Sequence, residues 1–213
     1  MRRPLLALLL LASPLAAQSW GLRVEFPFPE GQNLPQTLLT GTGLLASGSL
    51  DTGKGLIATL DRRLIVFGPI LRLEATVEAA WLRSEGEVAL GAQRTTGTLT
   101  QAGLGAGLNA QFWIPFVDLG GEVGLLQRVQ RYRYSAEGAS AEHTLGRPWL
   151  RVGARWRLPL PFRPYLAASY QQPVTQDHPV KLSSAADLAA LVSAQGSGQE
   201  FDRMWTFGVG WSF

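Results

Sequence analysis

From Trp20 onward the chain alternates apolar and polar residues in segment after segment, which commits it to β-strands with two unlike faces. Trp20, Leu22, Val24, Phe26 and Phe28 share one side, and Gly21, Arg23, Glu25 and Pro27 the other. The same period runs through Leu71 to Trp81, Leu104 to Ile114, Val117 to Leu125, Leu150 to Leu158, Leu166 to Tyr170 and Trp205 to Phe213. An eighth segment, Leu56 to Phe67, fits except at Asp61-Arg62-Arg63, where a β-bulge is expected.

Alternation alone also fits a soluble sandwich, whose inner faces are apolar and whose charges meet water. Here the second face mixes Arg and Glu with many glycines, and the apolar face is aromatic at its ends. Trp20 to Phe28, Leu71 to Trp81 and Trp205 to Phe213 are close to the ~9–11 residues of a tilted transmembrane strand. Such strands put apolar residues toward lipid and polar ones into a lumen, with aromatic rings at both interfaces. The fold expected is all-β: a closed, eight-stranded, antiparallel up-and-down transmembrane barrel.

Other classes fall away. No unbroken apolar run reaches the ~18 residues of a membrane-spanning helix. With no cysteine, disulfide scaffolds and thiolate chemistry are excluded. Residues 1–17 read as a secretory signal peptide: Arg2 and Arg3 precede a short apolar run, Leu5 to Leu11, and Leu15-Ala16-Ala17 supplies small residues for cleavage. An anchor helix would need a longer run without Pro14 near its end. Of 19 basic and 16 acidic residues, removal of Arg2 and Arg3 leaves 17 against 16, a net +1, which is no nucleic-acid footprint. Residues 18–213 then form the barrel.

Connector lengths alternate. Gly68-Pro69, Pro115-Phe116 and Pro159 to Arg163 are short; Pro29 to Gly55, Ser84 to Gly97, Ser135 to Thr144 and Val174 to Glu200 are long. Tight turns on one side and long loops on the other are the habit of outer-membrane barrels, and an even strand count puts both termini on the periplasmic side. A ten-stranded version would draw extra strands from the two longest loops.

The final strand reads Trp205-Thr206-Phe207-Gly208-Val209-Gly210-Trp211-Ser212-Phe213. In this the chain resembles the small eight-stranded bacterial outer-membrane β-barrels, of the OmpX kind and the transmembrane domain of the OmpA kind. The resemblance implies an assembly signal in Trp205, Phe207, Val209, Trp211 and Phe213, read by the barrel-assembly machinery. It also implies an outer-membrane location in a Gram-negative envelope. No loop motif carries a function across.

Parity sends Arg23, Glu25, Arg72, Glu74, Glu78, Glu122, Arg151, Arg155 and Arg157 into the lumen. Eight strands enclose a space that side chains just fill, and buried charges must be paired, so these residues are expected to form a structural ion network that plugs the bore. A proton or ion path is the competing reading of the same residues. Trp113, Trp149 and Tyr165 are expected to add bulk, with Gly103, Gly105 and Gly107 making room. Those glycines lie inside a strand with no helix after them, so they form no phosphate loop.

Function is then left to the loops. Leu38, Leu39, Leu44 and Leu45 make the first long connector unusually apolar. Leu188, Leu191 and Val192 share one face of a helix-like stretch, Ser183 to Ala194, in the last. Together they could form an access site for a small hydrophobic molecule, or merely pack on each other as a lid. Polar residues Gln127 to Tyr134 prolong the fifth strand into an outer wall with a sheet edge open to a partner strand. His143 and His178 fall in expected outer loops, without a nucleophile–base pattern; some small barrels modify lipid A, but no such activity is expected here. The expectation is a monomer without metal or cofactor, in contact with membrane lipids including lipopolysaccharide. Its role would be structural or surface interaction, with narrow transport of small hydrophobic compounds as the alternative.

Overall fold

The computed structural model describes residues 20–29, 32–38, 45–50, 53–68, 70–90, 93–114, 116–136, 139–160, 164–174 and 203–213. The expected leader, residues 1–17, lies outside them. Ten strands are present: β1 (Trp20–Pro29), β2 (Gln32–Leu38), β3 (Leu45–Leu50), β4 (Lys54–Phe67), β5 (Leu71–Leu90), β6 (Gln93–Ile114), β7 (Leu119–Ala136), β8 (Ala139–Arg157), β9 (Tyr165–Pro173) and β10 (Met204–Ser212). Eight of them close a ring in the order β5-β4-β1-β10-β9-β8-β7-β6, with β6 returning to β5. Every pairing in the ring is antiparallel; seven join sequence neighbours of the barrel and the eighth joins β1 to β10. This is a closed eight-stranded up-and-down β-barrel.

The other two strands do not make the ten-stranded alternative. Both come from the first long connector and neither enters the ring; β2 and β3 form a hairpin with Leu38 opposite Leu45, and β3 adds to the far end of β5.

The ring closes between β1 and β10. Trp20 N donates to Phe213 O at 3.0 Å, and Phe213 N to Trp20 O at 2.9 Å. Closure leaves no unpaired backbone edge along the band that faces lipid, where each orphan group would cost several kcal/mol.

The outer face is apolar around the whole circumference. One row of cross-strand partners runs Ile65, Leu73, Ala110, Val123, Val152, Tyr170, Trp205 and Phe28, visiting all eight barrel strands. Val152, Trp205 and Phe28 are 47%, 49% and 51% exposed, whereas Arg23 and Arg151 are wholly buried. A water-soluble barrel would reverse that order.

Two expected loops are strand instead. Ser84–Gly97 is taken up by the ends of β5 and β6, paired without a break from Ser84↔Leu99 to Leu90↔Gln93. Ser135–Thr144 is likewise a hairpin of β7 and β8, so His143 lies on β8 opposite Tyr132 rather than in a loop. With β2 and β3, these strands rise beyond the apolar band as a wall on one side of the barrel.

The irregular segment is a continuous strand with one slip. Register shifts between Arg63↔Glu74 and Ile65↔Leu73, which leaves Leu64 as the bulged residue. Asp61 therefore keeps the inward parity of Thr59, and Arg62 turns outward onto the Trp20 ring at 5.2 Å. At the short-turn end, Gly68 and Asp118 take left-handed backbone (φ 62° and 50°), which glycine and aspartate tolerate best.

Candidate functional site

Among the described residues five arginines (Arg23, Arg128, Arg147, Arg151, Arg155) and five acids (Glu25, Asp61, Glu74, Glu78, Glu122) are buried, all on the inner face. Strand alternation places them there, and the barrel's small bore brings opposite walls within reach of one another.

Glu122 on β7 is the hub of the lower layer. Its Oε1 accepts from Arg23 Nη1 at 2.7 Å, and its Oε2 from Arg155 Nε at 2.6 Å and Asn109 Nδ2 at 3.0 Å. Arg155 reaches on to Asp61 Oδ2 at 3.2 Å and lies 3.6 Å from Glu74 Oε2. Thr76 donates to the other Asp61 oxygen at 2.7 Å. Gln111 donates to Glu74 and in turn accepts from Trp113 Nε1 at 3.0 Å.

Glu78 on β5 organises the layer above. Arg151 Nη2 meets its Oε2 at 2.5 Å, and Arg128 Nε bonds the other oxygen while Arg128 Nη2 donates to Gln171. Glu25 joins the layers: Arg23 Nε lies 3.3 Å and Arg151 Nη2 3.8 Å from its Oε2, and Thr206 donates to its Oε1 at 2.8 Å. Ser169 and Thr206 hydroxyls are 2.6 Å apart, and Gln171 Nε2 donates to Ser169 at 3.1 Å.

Each end of the bore carries a tryptophan packed by two arginines. Toward the wall, Arg128 and Arg147 lie 4.4 and 5.7 Å from the Trp149 ring centre, and Arg147 donates to Tyr132 at 2.9 Å. Toward the short turns, Arg157 and Arg72 lie 4.3 and 5.5 Å from the Trp113 ring. Apolar residues Ile57, Leu82, Leu99, Leu145 and Met204 also point inward, in the half of the bore nearer the wall, and are buried.

The structure thus sets all nine charged residues named from parity on the inner face. Seven are buried; Arg72 and Arg157 sit half-buried at the short-turn mouth. Asp61, Arg128 and Arg147 belong to the same assembly but escaped the sequence reading. Arg128 was legible in principle, since it continues the spacing of Glu122, Gly124 and Leu126. Trp113, Trp149 and Tyr165 are all buried inside. Gly105 leaves space that Glu78 and Arg128 occupy: a Cβ there would come within 2.8 Å of Glu78 Cγ and 3.0 Å of Arg128 Cγ.

Trp205, Phe207, Val209, Trp211 and Phe213 all face outward on or just past β10. Leu38 and Leu45 end and begin the β2–β3 hairpin. Leu39, Leu44, Leu188, Leu191 and Val192, and with them the hydrophobic access site, lie outside the described residues, as does His178. Among the described residues no cluster of three or more His, Asp or Glu could hold a metal ion.

No known family's sequence pattern matches the chain, and no curated protein matches it either. Solved structures do. Ail, the attachment invasion locus protein of Yersinia pestis, aligns over 92% of this chain and 100% of its own at 13% identity, with a TM-score of 0.46. The translocator domain of the autotransporter NalP from Neisseria meningitidis aligns over 99% and 94% at 13% identity, TM-score 0.42. The transport unit of the autotransporter AIDA-I from Escherichia coli aligns over 74% and 53% at 13% identity, TM-score 0.42. These likenesses concern the barrel fold and nothing finer.

Proposed function

We propose that the protein is an integral outer-membrane barrel whose bore is plugged by its own ion network and whose role is structural or one of surface interaction. One observation carries the reading. Arg23 and Glu122, and likewise Arg155 and Asp61, join strands that stand opposite each other in the ring, so the lower layer bridges the bore. Charges tied across the bore favour packing over an ion path, because a mobile ion would have to break several buried bonds at once. Reconstituted into planar bilayers, the full chain is expected to give no stepwise conductance; regular channel steps would overturn the plugged reading.

The outer side is the side of the wall. Just beyond the apolar band, Lys54, Arg83, Thr100 and Arg133 are consecutive cross-strand partners, and the three cations are exposed on the outward face. Arg131 lies on the same face one step lower, bonded to Glu142 at 2.5 Å. Cations at this height match the phosphates of lipopolysaccharide. Both termini then lie in the periplasm, and an epitope fused before Trp20 is expected to resist surface protease until the cell is permeabilised. The protein works in this reading as a monomer without cofactor or catalysis, folded by the barrel-assembly machinery. Mass spectra of lipid A with and without expression should coincide.

The inward apolar set Ile57, Leu82, Leu99, Leu145 and Met204 favours a second reading, narrow transport of small hydrophobic compounds. Dye uptake into proteoliposomes above that of empty vesicles would select it.

A further inference from the structure

The short-turn mouth of the bore gathers three arginines, Arg63, Arg72 and Arg157. Arg63 stands directly opposite Glu74 and shares its inward face. Arg72 and Arg157 both pack on Trp113. Arg72 is repelled by Arg63 and by Arg157, and attracted by Glu74. Glu74 is already engaged from deeper in the bore by Arg155 and Gln111. From the turn, Asp118 lies 3.4 Å from Arg157 Nη1. The Nε atoms of Arg63 and Arg72 are buried and donate to no acceptor among the described residues. The carboxylate that faces Arg63 and Arg72, Glu74, is thus already held by another arginine.

Like charges held together in a partly dry site are costly, and a buried donor without an acceptor adds to that cost. An anion that accepts from these donors removes both costs. The three guanidinium groups are only half-buried, so the mouth is open to a small group while being drier than bulk water. Guanidinium forks match the oxygens of a phosphate, and an aromatic ring beneath them restricts their planes before the ligand arrives. A lone carboxylate offers two oxygens and one charge; a phosphate offers more of both.

We propose that Arg63, Arg72 and Arg157, braced by Trp113, form a phosphate-binding site at the short-turn mouth of the barrel. The oxyanion can be a free phosphate or the phosphate of a phospholipid headgroup. Ile70, Phe116 and Val117 in the adjoining turns are 54%, 98% and 56% exposed, an apolar rim beside the mouth that suits the lipid source. The site does not depend on whether the bore conducts.

Phosphorus NMR on the full chain, refolded in a phosphorus-free maltoside detergent, tests this. Inorganic phosphate is titrated in one arm and the short-chain lipid dihexanoyl phosphatidylglycerol in the other. Saturable line broadening is expected in at least one arm: phosphate alone identifies a free-ion site, lipid alone a headgroup site, and both an oxyanion site open to either. The Arg72→Gln/Arg157→Gln variant should weaken binding about tenfold or more, with Arg72→Lys between it and the parent. Arg63→Gln carries the same comparison if the double variant fails the heat-shifted gel test for folding. Arg94→Gln/Arg203→Gln, which removes two exposed cations at the far end of the barrel, should bind as the parent does. No saturable broadening in either arm, or an equal loss in the Arg94/Arg203 control, overturns the proposal.

Discussion

Arg23 Nη1 lies 2.7 Å from Glu122 Oε1, joining two strands on opposite sides of the barrel across 99 residues of sequence. Glu122 also holds Arg155 and Asn109, so one carboxylate ties together β1, β6, β7 and β8. Glu122→Gln keeps the shape and removes the charge, leaving two buried guanidinium groups short of an anion. Loss of one partner from such an assembly costs about 3–5 kcal/mol. Urea unfolding of the refolded protein, followed by gel migration, should show a loss of that size. Arg155→Gln in the same background should recover part of it, because the surplus positive charge is then reduced.

Leu108 and Val152 face outward in the middle of the apolar band, 51% and 47% exposed. Arginine at Leu108 should destabilise the barrel in lipid vesicles by about 2–4 kcal/mol, the cost of a cation near the bilayer midplane. Thr96→Arg, on the exposed outer part of β6 opposite Glu87, should change stability little. Equal effects at the two positions would mean that the outer face does not meet acyl chains.

Gly208 marks a close approach. A Cβ there would lie 2.7 Å from Glu25 Cα and 2.8 Å from Glu25 Cγ, within the β1–β10 seam. Gly208→Val should cost about 1–3 kcal/mol or more by overpacking and slow the appearance of the heat-shifted form. Gly121→Ala is the control, since its Cβ would meet nothing nearer than 3.9 Å.

Phe213 is 60% exposed and makes its described hydrogen bonds through the backbone, to Trp20. If its side chain is an address for assembly, Phe213→Ser should lower the amount reaching the outer membrane in cells. Refolding of the purified chain into detergent should be nearly unchanged, because the backbone bonds survive. A parallel loss in both assays would assign the ring to stability instead.

The barrel was legible because lipid and a polar bore impose opposite demands on neighbouring residues. Leu73 and Glu74 could not be mistaken for each other. Where that contrast ends, the signal ends: Arg94 to Thr100 has water on the outward side, and its run of threonines reads equally well as loop. Ser84–Gly97 and Ser135–Thr144 were lost for this reason, and Arg147 with the second of them. Asp61 was lost differently. The expected bulge was placed around it, whereas the structure puts the slip at Leu64 and leaves its parity intact. The arginine pairs on Trp113 and Trp149 had little sequence signal, since Arg72, Arg157 and Arg128 reach their rings from other strands and only Arg147 shares a strand with its own.

That closure falls between the first barrel strand and the last. β1 cannot meet β10 until Met204–Ser212 has been made, so no fragment that lacks β10 possesses a finished perimeter. Contacts this remote in sequence form slowly, and an unsealed sheet meanwhile exposes backbone that other chains can capture. The sheet therefore stays open until β10 seats between β9 and β1, and that strand acts as the zip fastener of everything made before it.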